Sequence, residues 1–447
     1  MDRPTNRRTL LKGAAAAGAA AVAGVSKRST TFAAPAVLQS TGSTVNITYW
    51  GSWSGDLGKA EQEVVKRFND SQQDVHVDYQ FQGSYEETAQ KLTAALAAKQ
   101  TPDVSALSDV WWFKFYLNQV LTPLNDLFAA NKIDTSDYVD SLFNEGVRDG
   151  QSYWVPFARS TPLFYYNKDA FAEIGQEAAP KTWSEFAEFA PKLVKKDGSQ
   201  TTRYAFTHAN AATYVAWFFQ GVNWAWGGKY SDPDFNILIN KPETVAAGEF
   251  MRKSVQDGWA NVTQDINNGP DSDFYTGLSA TTMGSTGGLI TDVTNAKFNV
   301  GVAFLPEEKT FGCCTGGAGL AVLTNAAKEK QEAGFKYVAF ATSPEITSFW
   351  AQNTGYMPVR KSAIASKEMQ DFFAKNPNYK VAVDQLPKTG PQDSARVFIP
   401  NGDQIIGKGL EQILINNSPS QQAFDDVAKT LTEEAQPVIE AIKALKQ

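Results

Sequence analysis

The sequence predicts an α/β fold in two domains, and three observations carry that prediction. The chain has 447 residues, enough for two domains of ordinary size. From Val45 onward, short strand-like stretches alternate with longer helix-like ones. The first of these strands are apolar or alternate with period two, and each leads into a helix. That rhythm makes a doubly wound, mostly parallel sheet with helices on both faces.

The first 36 residues lie outside this pattern. "TNRRTLLKG" (Thr5–Gly13) precedes "AAAAGAAAVAG" (Ala14–Gly24) and "AAPA" (Ala33–Ala36). A basic region, a short Ala/Gly-rich stretch and small residues at a cut site read as an export signal. Arg7–Arg8 followed by Leu10, Leu11 and Lys12 resembles a twin-arginine signal, departing from the usual pattern at Asn6 and Leu10. The apolar stretch is a poor membrane span, and no cysteine for a lipid anchor lies near the cut. Residues 37–43 read as a polar linker. The protein is expected to be exported, to the periplasm or the cell exterior.

"VNITYW" (Val45–Trp50) reads as a buried strand. The helix after it places Leu57, Ala60, Val64, Val65 and Phe68 on one face. "VHVDYQF" (Val75–Phe81) is the next strand, Tyr85–Lys99 a helix, and "PDVSAL" (Pro102–Leu107) a third strand. Ligands of such sheets sit beyond the carboxyl ends of the strands. The rim is therefore Gly51–Leu57, Gly83–Tyr85 and Asp109–Trp112. In "SDVWWFKFYLN" (Ser108–Asn118) a helix is expected to begin near Asp109, which either caps it or faces a ligand. Trp112, Phe113 and Tyr116 would then face the core, while Trp111 and Phe115 point elsewhere. Trp111, beside Asp109, is a candidate ring for a ligand's apolar face. A second α/β pattern runs from Tyr153 through the helix Trp183–Lys195, the aromatic run Thr213–Gly228 and Phe298–Pro306. Gly316–Ala327 then reads as a strand leading into a helix.

Composition narrows the function. The formal net charge is −7, and the first 36 residues hold six Lys/Arg and one acid. The remainder carries 35 bases against 47 acids, which argues against a nucleic-acid partner. Eleven tryptophans and 12% aromatic residues suit flat apolar ligand faces, or simply a rich core. The two histidines are His76 and His208, and the chain has no H-E-x-x-H, G-x-S-x-G, C-x-x-C or P-loop motif. Neither catalysis nor a cofactor is expected; a secreted glycoside hydrolase is the remote alternative, since two facing carboxylates leave no motif. The only cysteines, Cys313 and Cys314, are adjacent, either two buried thiols or a strained vicinal disulfide. "DPDFNILINKPE" (Asp232–Glu243) imitates a calcium loop but has Ile237 where that loop needs glycine, so no metal is expected.

Several longer stretches are specific. "STPLFYYNKDAF", "PKTWSEFAEFAPKL", "NKPETVAAGEFM", "GGAGLAVLT" and "NTGYMPVRKSA" together resemble the extracellular solute-binding proteins of carbohydrate-type ABC importers. "GDLGK", "GSYEE" and the Tyr-Tyr-Asn-Lys-Asp run bring the likeness nearest to the glycerol-3-phosphate-binding branch. The resemblance spans nearly all of the chain after residue 36. It implies a two-lobed periplasmic-binding-protein-like fold of type II, closing on ligand by a hinge. Its three crossovers would fall near Ser160–Thr161, Cys313–Gly317 and Asn353–Pro358. Lobe one would comprise 44–160 and 314–353, and lobe two 161–313 and 354–447. The resemblance also implies a monomer that delivers its ligand to membrane permease subunits. The ligand would be sn-glycerol-3-phosphate or a glycerophosphodiester, with a di- or oligosaccharide as the alternative. It implies ligand contacts at Tyr85, Asp109, Ser160, Ser285, Gly317, Tyr356 and Arg396, with Tyr356 and Arg396 on a phosphate. The branch's lobe-two tryptophan has no clean counterpart here; Tyr214, Trp217 and His208 are candidates. On chemistry alone, Arg396 could instead pair with Asp393, and Tyr356 could be a packing ring.

Overall fold

The computed structural model describes residues 43–445, so the expected export signal and most of the linker lie outside the described residues. Two sheets organise the rest. The first has the order Val75–Phe81, Val45–Gly51, Val104–Ser108, Gly316–Val322, Val155–Ser160. Only Gly316–Val322 runs against its neighbours. The second has the order Ala260–Val262, Gln200–His208, Ser279–Ser285, Pro162–Asn167, Val300–Ala303, with Pro162–Asn167 reversed. Lys195–Asp197 adds a short antiparallel strand to Gln200–His208. Each lobe is thus mostly parallel, and its strand ends share one rim.

Local sequence explains the elements. The helix Gly55–Ser71 buries Ala60, Val64, Val65 and Phe68 against the first sheet. Tyr85–Ala98 starts on a reciprocal cap, in which the Ser84 side chain accepts from the Glu87 N–H and Glu87 accepts from the Ser84 N–H. Every residue of Val104–Ser108 is buried, as a central parallel strand requires.

The aromatic helix differs from expectation. It spans Trp112–Leu117, three residues later than predicted. The Asp109 N–H bonds the Gly317 carbonyl at 2.9 Å, continuing the sheet, and Trp111 N–H closes a turn on Ser108 O. The delay rotates the helix. Phe115 becomes core at 1% exposure, while Tyr116 is half-buried against Tyr153. Trp112 stacks on Trp154 at 6.0 Å and Phe113 packs on Phe398 at 4.4 Å.

Thr161 alone separates a strand of the first sheet from one of the second, and the chain returns between Ala303 and Gly316. After the helix Pro344–Thr354, where the third crossover was expected, the Met357 N–H bonds the Arg159 carbonyl of the first sheet. Beyond it the structure departs from the expected boundary at 354. Met369 and Phe373 pack on Ala351, and Arg360 pairs with Asp137 at 2.8 Å. The chain therefore stays on the first lobe until Pro377–Gln385, which packs on Val300–Ala303. The helices Gly402–Leu414 and Ser420–Leu445 cover the second core, and Val438 reaches back to the aromatic helix.

Of the two alternatives for the adjacent cysteines, the structure has the buried free thiols. Their sulfurs turn to different neighbours, Cys313 to Thr161 Oγ1 at 2.8 Å and Gln385 Nε2 at 3.1 Å, Cys314 toward the Trp217 carbonyl.

Candidate functional site

The strand ends of both lobes open on one cavity of about 770 Å³. Its first-lobe wall takes Ser52, Ser54, Leu57, Gly83–Tyr85, Asp109 and Val110 from the predicted rim and adds Phe81, Glu86 and Ser108. Residues from the second lobe face it, with Ser160, Gly317, Tyr356 and Arg396 near the crossovers.

Tyr85 opens its capped helix and meets Trp53 edge-on at 5.9 Å. Burial pushes its phenol well above the usual value, with Tyr356 and Tyr214 adding to the shift. Tyr356 stacks on Trp350 at 5.9 Å and closes over Gly287, where a Cβ would lie 2.6 Å from the ring. Ser160 ends its strand at 2% exposure. Ser285 ends Ser279–Ser285, and its Oγ accepts from the Gly287 N–H at 3.1 Å. Gly317 has φ +101, and a Cβ there would sit 2.1 Å from the Ala158 carbonyl; only glycine fits.

Asp109 is 6% exposed and does not cap the helix, whose N-cap is Trp111. Its Oδ2 accepts from Gln392 Nε2 at 2.5 Å and lies 3.7 Å from Arg396 Nη1. Arg396 does not pair with Asp393. Its Nε donates to Asp403 Oδ1 at 2.6 Å and its Nη1 to Gln392 Oε1. Asp393 instead accepts from Trp224 Nε1 and the Tyr230 N–H. Burial alone would lower the Arg396 pKa, but Asp403 and Asp109 together raise it.

Two expectations need correction. Trp111 does not line the cleft; the late start of its helix turns it onto the neighbouring aromatic cluster, with Lys114 Nζ 5.6 Å from its ring. His208 lies in the second core, paired with Ser254 at 2.7 Å, where burial lowers its pKa to about 3. Tyr214, Trp217 and Phe218 line the cleft instead. Tyr214 adopts φ +66, a strained left-handed conformation for a non-glycine residue. Trp217 is fixed by its Nε1 donating to the Thr315 carbonyl at 3.0 Å.

Glu86 was missed. It lines the cleft, and burial raises its carboxyl pKa. The available signal was its place in the first turn of a capped helix that starts at the rim.

The calcium-like loop closes on itself: Asp232 accepts from the Asp234 and Asn236 N–H groups and from Asn236 Nδ2. Among the described residues no cluster of three His, Cys, Asp or Glu could hold a metal. No helix of the described residues is long and apolar enough to cross a membrane.

A cleft between two lobes, walled by rings and set with an acid, a guanidinium and hydroxyls, can enclose a small polar ligand. Comparison with known proteins agrees. The family model for bacterial extracellular solute-binding proteins matches residues 63–381. The sn-glycerol-3-phosphate-binding periplasmic protein UgpB of Escherichia coli K12 is 28% identical over 416 residues, 87% of this chain and 92% of that one. The crystal structure of UgpB from Mycobacterium tuberculosis in complex with glycerophosphocholine superposes with a TM-score of 0.83 at 42% identity, covering 89% of this chain and all of that one. Maltose-bound MalE3 of T. maritima, 22% identical, shares the fold with a TM-score of 0.76 over 87% of this chain and 99% of that one. The chain belongs to the bacterial extracellular solute-binding proteins.

Proposed function

We propose that this protein is the capture component of an ABC importer and that its ligand is a glycerophosphodiester, with sn-glycerol-3-phosphate as the related monoester. One observation carries the reading: Asp109 and Arg396 meet at the cleft, and neither Asp109 Oδ1 nor Arg396 Nη2 has a hydrogen-bond partner among the described residues. The carboxylate accepts from glycerol hydroxyls, and the guanidinium donates to phosphate. Ser160, Ser285, Gly317 and Tyr356 add donors or close backbone approach around the same space, beside Tyr85.

Charge favours a diester with a cationic alcohol over a dianion. Among the described residues, Arg396 is the one base of the lining, against the acids Glu86, Asp109 and Asp271, and Asp403 pairs with it from outside, so the lining holds no excess positive charge. A zwitterion such as glycerophosphocholine is neutral overall. Tyr85, Tyr214, Trp217 and Tyr356 supply ring faces of the kind that hold quaternary ammonium groups. These features also suit the glycerophosphocholine held by the M. tuberculosis relative. The saccharide alternative loses the support it drew from Trp111, which lies outside the cleft.

Calorimetry and thermal shift with glycerophosphocholine, glycerol-3-phosphate, maltose and trehalose test this reading. Glycerophosphocholine at a hundred times Kd should stabilise the fold by about 2.7 kcal/mol. Binding of a disaccharide with silence toward both phosphates would overturn the ligand assignment and leave the family untouched.

The twin-arginine-like signal at residues 1–36 would carry the chain folded across the membrane to its permease partner. Changing Arg7 and Arg8 together to Lys should leave precursor in the cytoplasm on fractionation. Undiminished export would point to the general secretory route.

A further inference from the structure

Gln392 lies in none of the sequence motifs, yet it touches both polar anchors of the cleft. Its Nε2 donates to Asp109 Oδ2 at 2.5 Å, and its Oε1 accepts from Arg396 Nη1. It stands four residues before Arg396, in the segment that leads into the short helix Ser394–Val397. A second cavity of about 470 Å³ lies behind the pair, lined by Gln392 and Asp109. Arg396 and Asp109 line the main cleft and Gln392 does not. The carboxamide therefore braces the two anchors from behind and does not occupy the ligand's space.

Bracing matters because acid and base are close but not in contact. Arg396 Nη1 and Asp109 Oδ2 stand 3.7 Å apart, beyond hydrogen-bond distance. Arginine and carboxylate at low exposure would otherwise form a direct, forked pair. Such a pair would commit the atoms a ligand needs. The amide prevents this by offering a donor to the acid and an acceptor to the base.

We propose that Gln392 is a positioning residue that keeps Asp109 and Arg396 apart and aims their free atoms at the ligand. The inference rests on the reading of these two residues as ligand anchors. An apolar side chain at 392 lets the pair collapse; a glutamate holds Arg396 but sets a second acid against Asp109.

The test uses the full exported chain with glycerophosphocholine as probe. Gln392→Ala and Gln392→Glu should each weaken binding about tenfold or more by calorimetry, while the melting temperature of Gln392→Ala stays at or above that of the wild type. In an Asp109→Asn background, Gln392→Ala should cost nothing further, because no charged acid remains to pair with Arg396. A crystal structure of ligand-free Gln392→Ala should show Arg396 and Asp109 in direct contact, a readout that needs no ligand. Wild-type affinity in Gln392→Ala, additive losses in the double variant, or a melting temperature that falls with affinity would each overturn the proposal. If wild type ignores glycerophosphocholine, the ligand reading fails, and the ligand-free structure alone decides the spacer role: an uncollapsed pair overturns it.

Discussion

Replacing Arg396 with alanine should weaken glycerophosphocholine binding by about ten- to a hundredfold and also destabilise the fold. Hydrogen bonds to a charged group contribute about 1.5–3 kcal/mol, and each 1.4 kcal/mol is a factor of ten in Kd. The structural loss has a separate origin. Arg396 is 3% exposed and sits between Asp403 and Asp109, themselves 3% and 6% exposed. Deleting the cation leaves two buried acids uncompensated, a change that costs about 3–5 kcal/mol in comparable settings. Burial already raises the Asp403 carboxyl against the opposing pull of Arg396, so without the arginine it rises further. Arg396→Lys separates the two effects. Lysine keeps the charge near Asp403 and recovers much of the stability, but it lacks the planar fork and does not restore binding. Calorimetry and urea melts on the three proteins measure both quantities. Wild-type affinity in Arg396→Ala would remove phosphate from the ligand and return a neutral sugar to first place.

Arg396 also marks where sequence reading stops. Its nearest acid in the chain is Asp393, and that proximity suggested the wrong partner. The fold spends Asp393 on Trp224 and Tyr230 and brings Asp403 to Arg396 from the next helix. The strand-helix rhythm before residue 110 was legible because hydrophobic periodicity is local. It placed the first-lobe rim at the strands' carboxyl ends, where Tyr85 and Asp109 stand. The aromatic helix was legible as a helix but not in phase. A single backbone bond from Asp109 to Gly317, some two hundred residues away, holds the chain in the sheet and delays the first turn. That shift moved Phe115 inward and Trp111 out of the cleft. Tyr214 and Trp217 could not be told from the other rings of a helix that is apolar almost all round; burial of nearly every residue of Val215–Ala225 hides which face meets the cleft. Glu86 and Gln392 left no pattern, since each acquires its role only when separate segments converge.

The acids Asp271 and Asp292 left no pattern either, and they give the largest expected dependence on pH. They belong to separate helices, Pro270–Tyr275 and Leu289–Asn295, either side of the Ser285–Gly288 turn. A Cβ on Gly288 would lie 2.8 Å from Asp271 Oδ2 and 3.7 Å from Asp292 Oδ2, so the two carboxyls converge over that glycine. Asp271 Oδ1 and both oxygens of Asp292 are buried without a hydrogen-bond partner. Burial pushes Asp271 up to about 7, and burial followed by repulsion from Asp271 raises Asp292 well above the usual value. Unfolded, both acids ionise near the ordinary value of ~3.9. Between that value and about 7 the folded chain holds more protons than the unfolded one, so stability rises as pH falls through this window. Glu61, raised to about 8 by burial despite the hydroxyls of Tyr49 and Tyr79, acts in the same direction and over a slightly higher range. Asp271→Asn removes the buried charge that forms near pH 7 while keeping shape. It should add on the order of 2 kcal/mol at pH 7.5, a melting temperature roughly 2 °C or more above wild type. The advantage should shrink steadily as pH falls from about 7 toward the unfolded value of ~3.9. Melting curves of both proteins from pH 5 to 8 measure the difference. A gap that stays constant across that range would mean that burial does not raise Asp271.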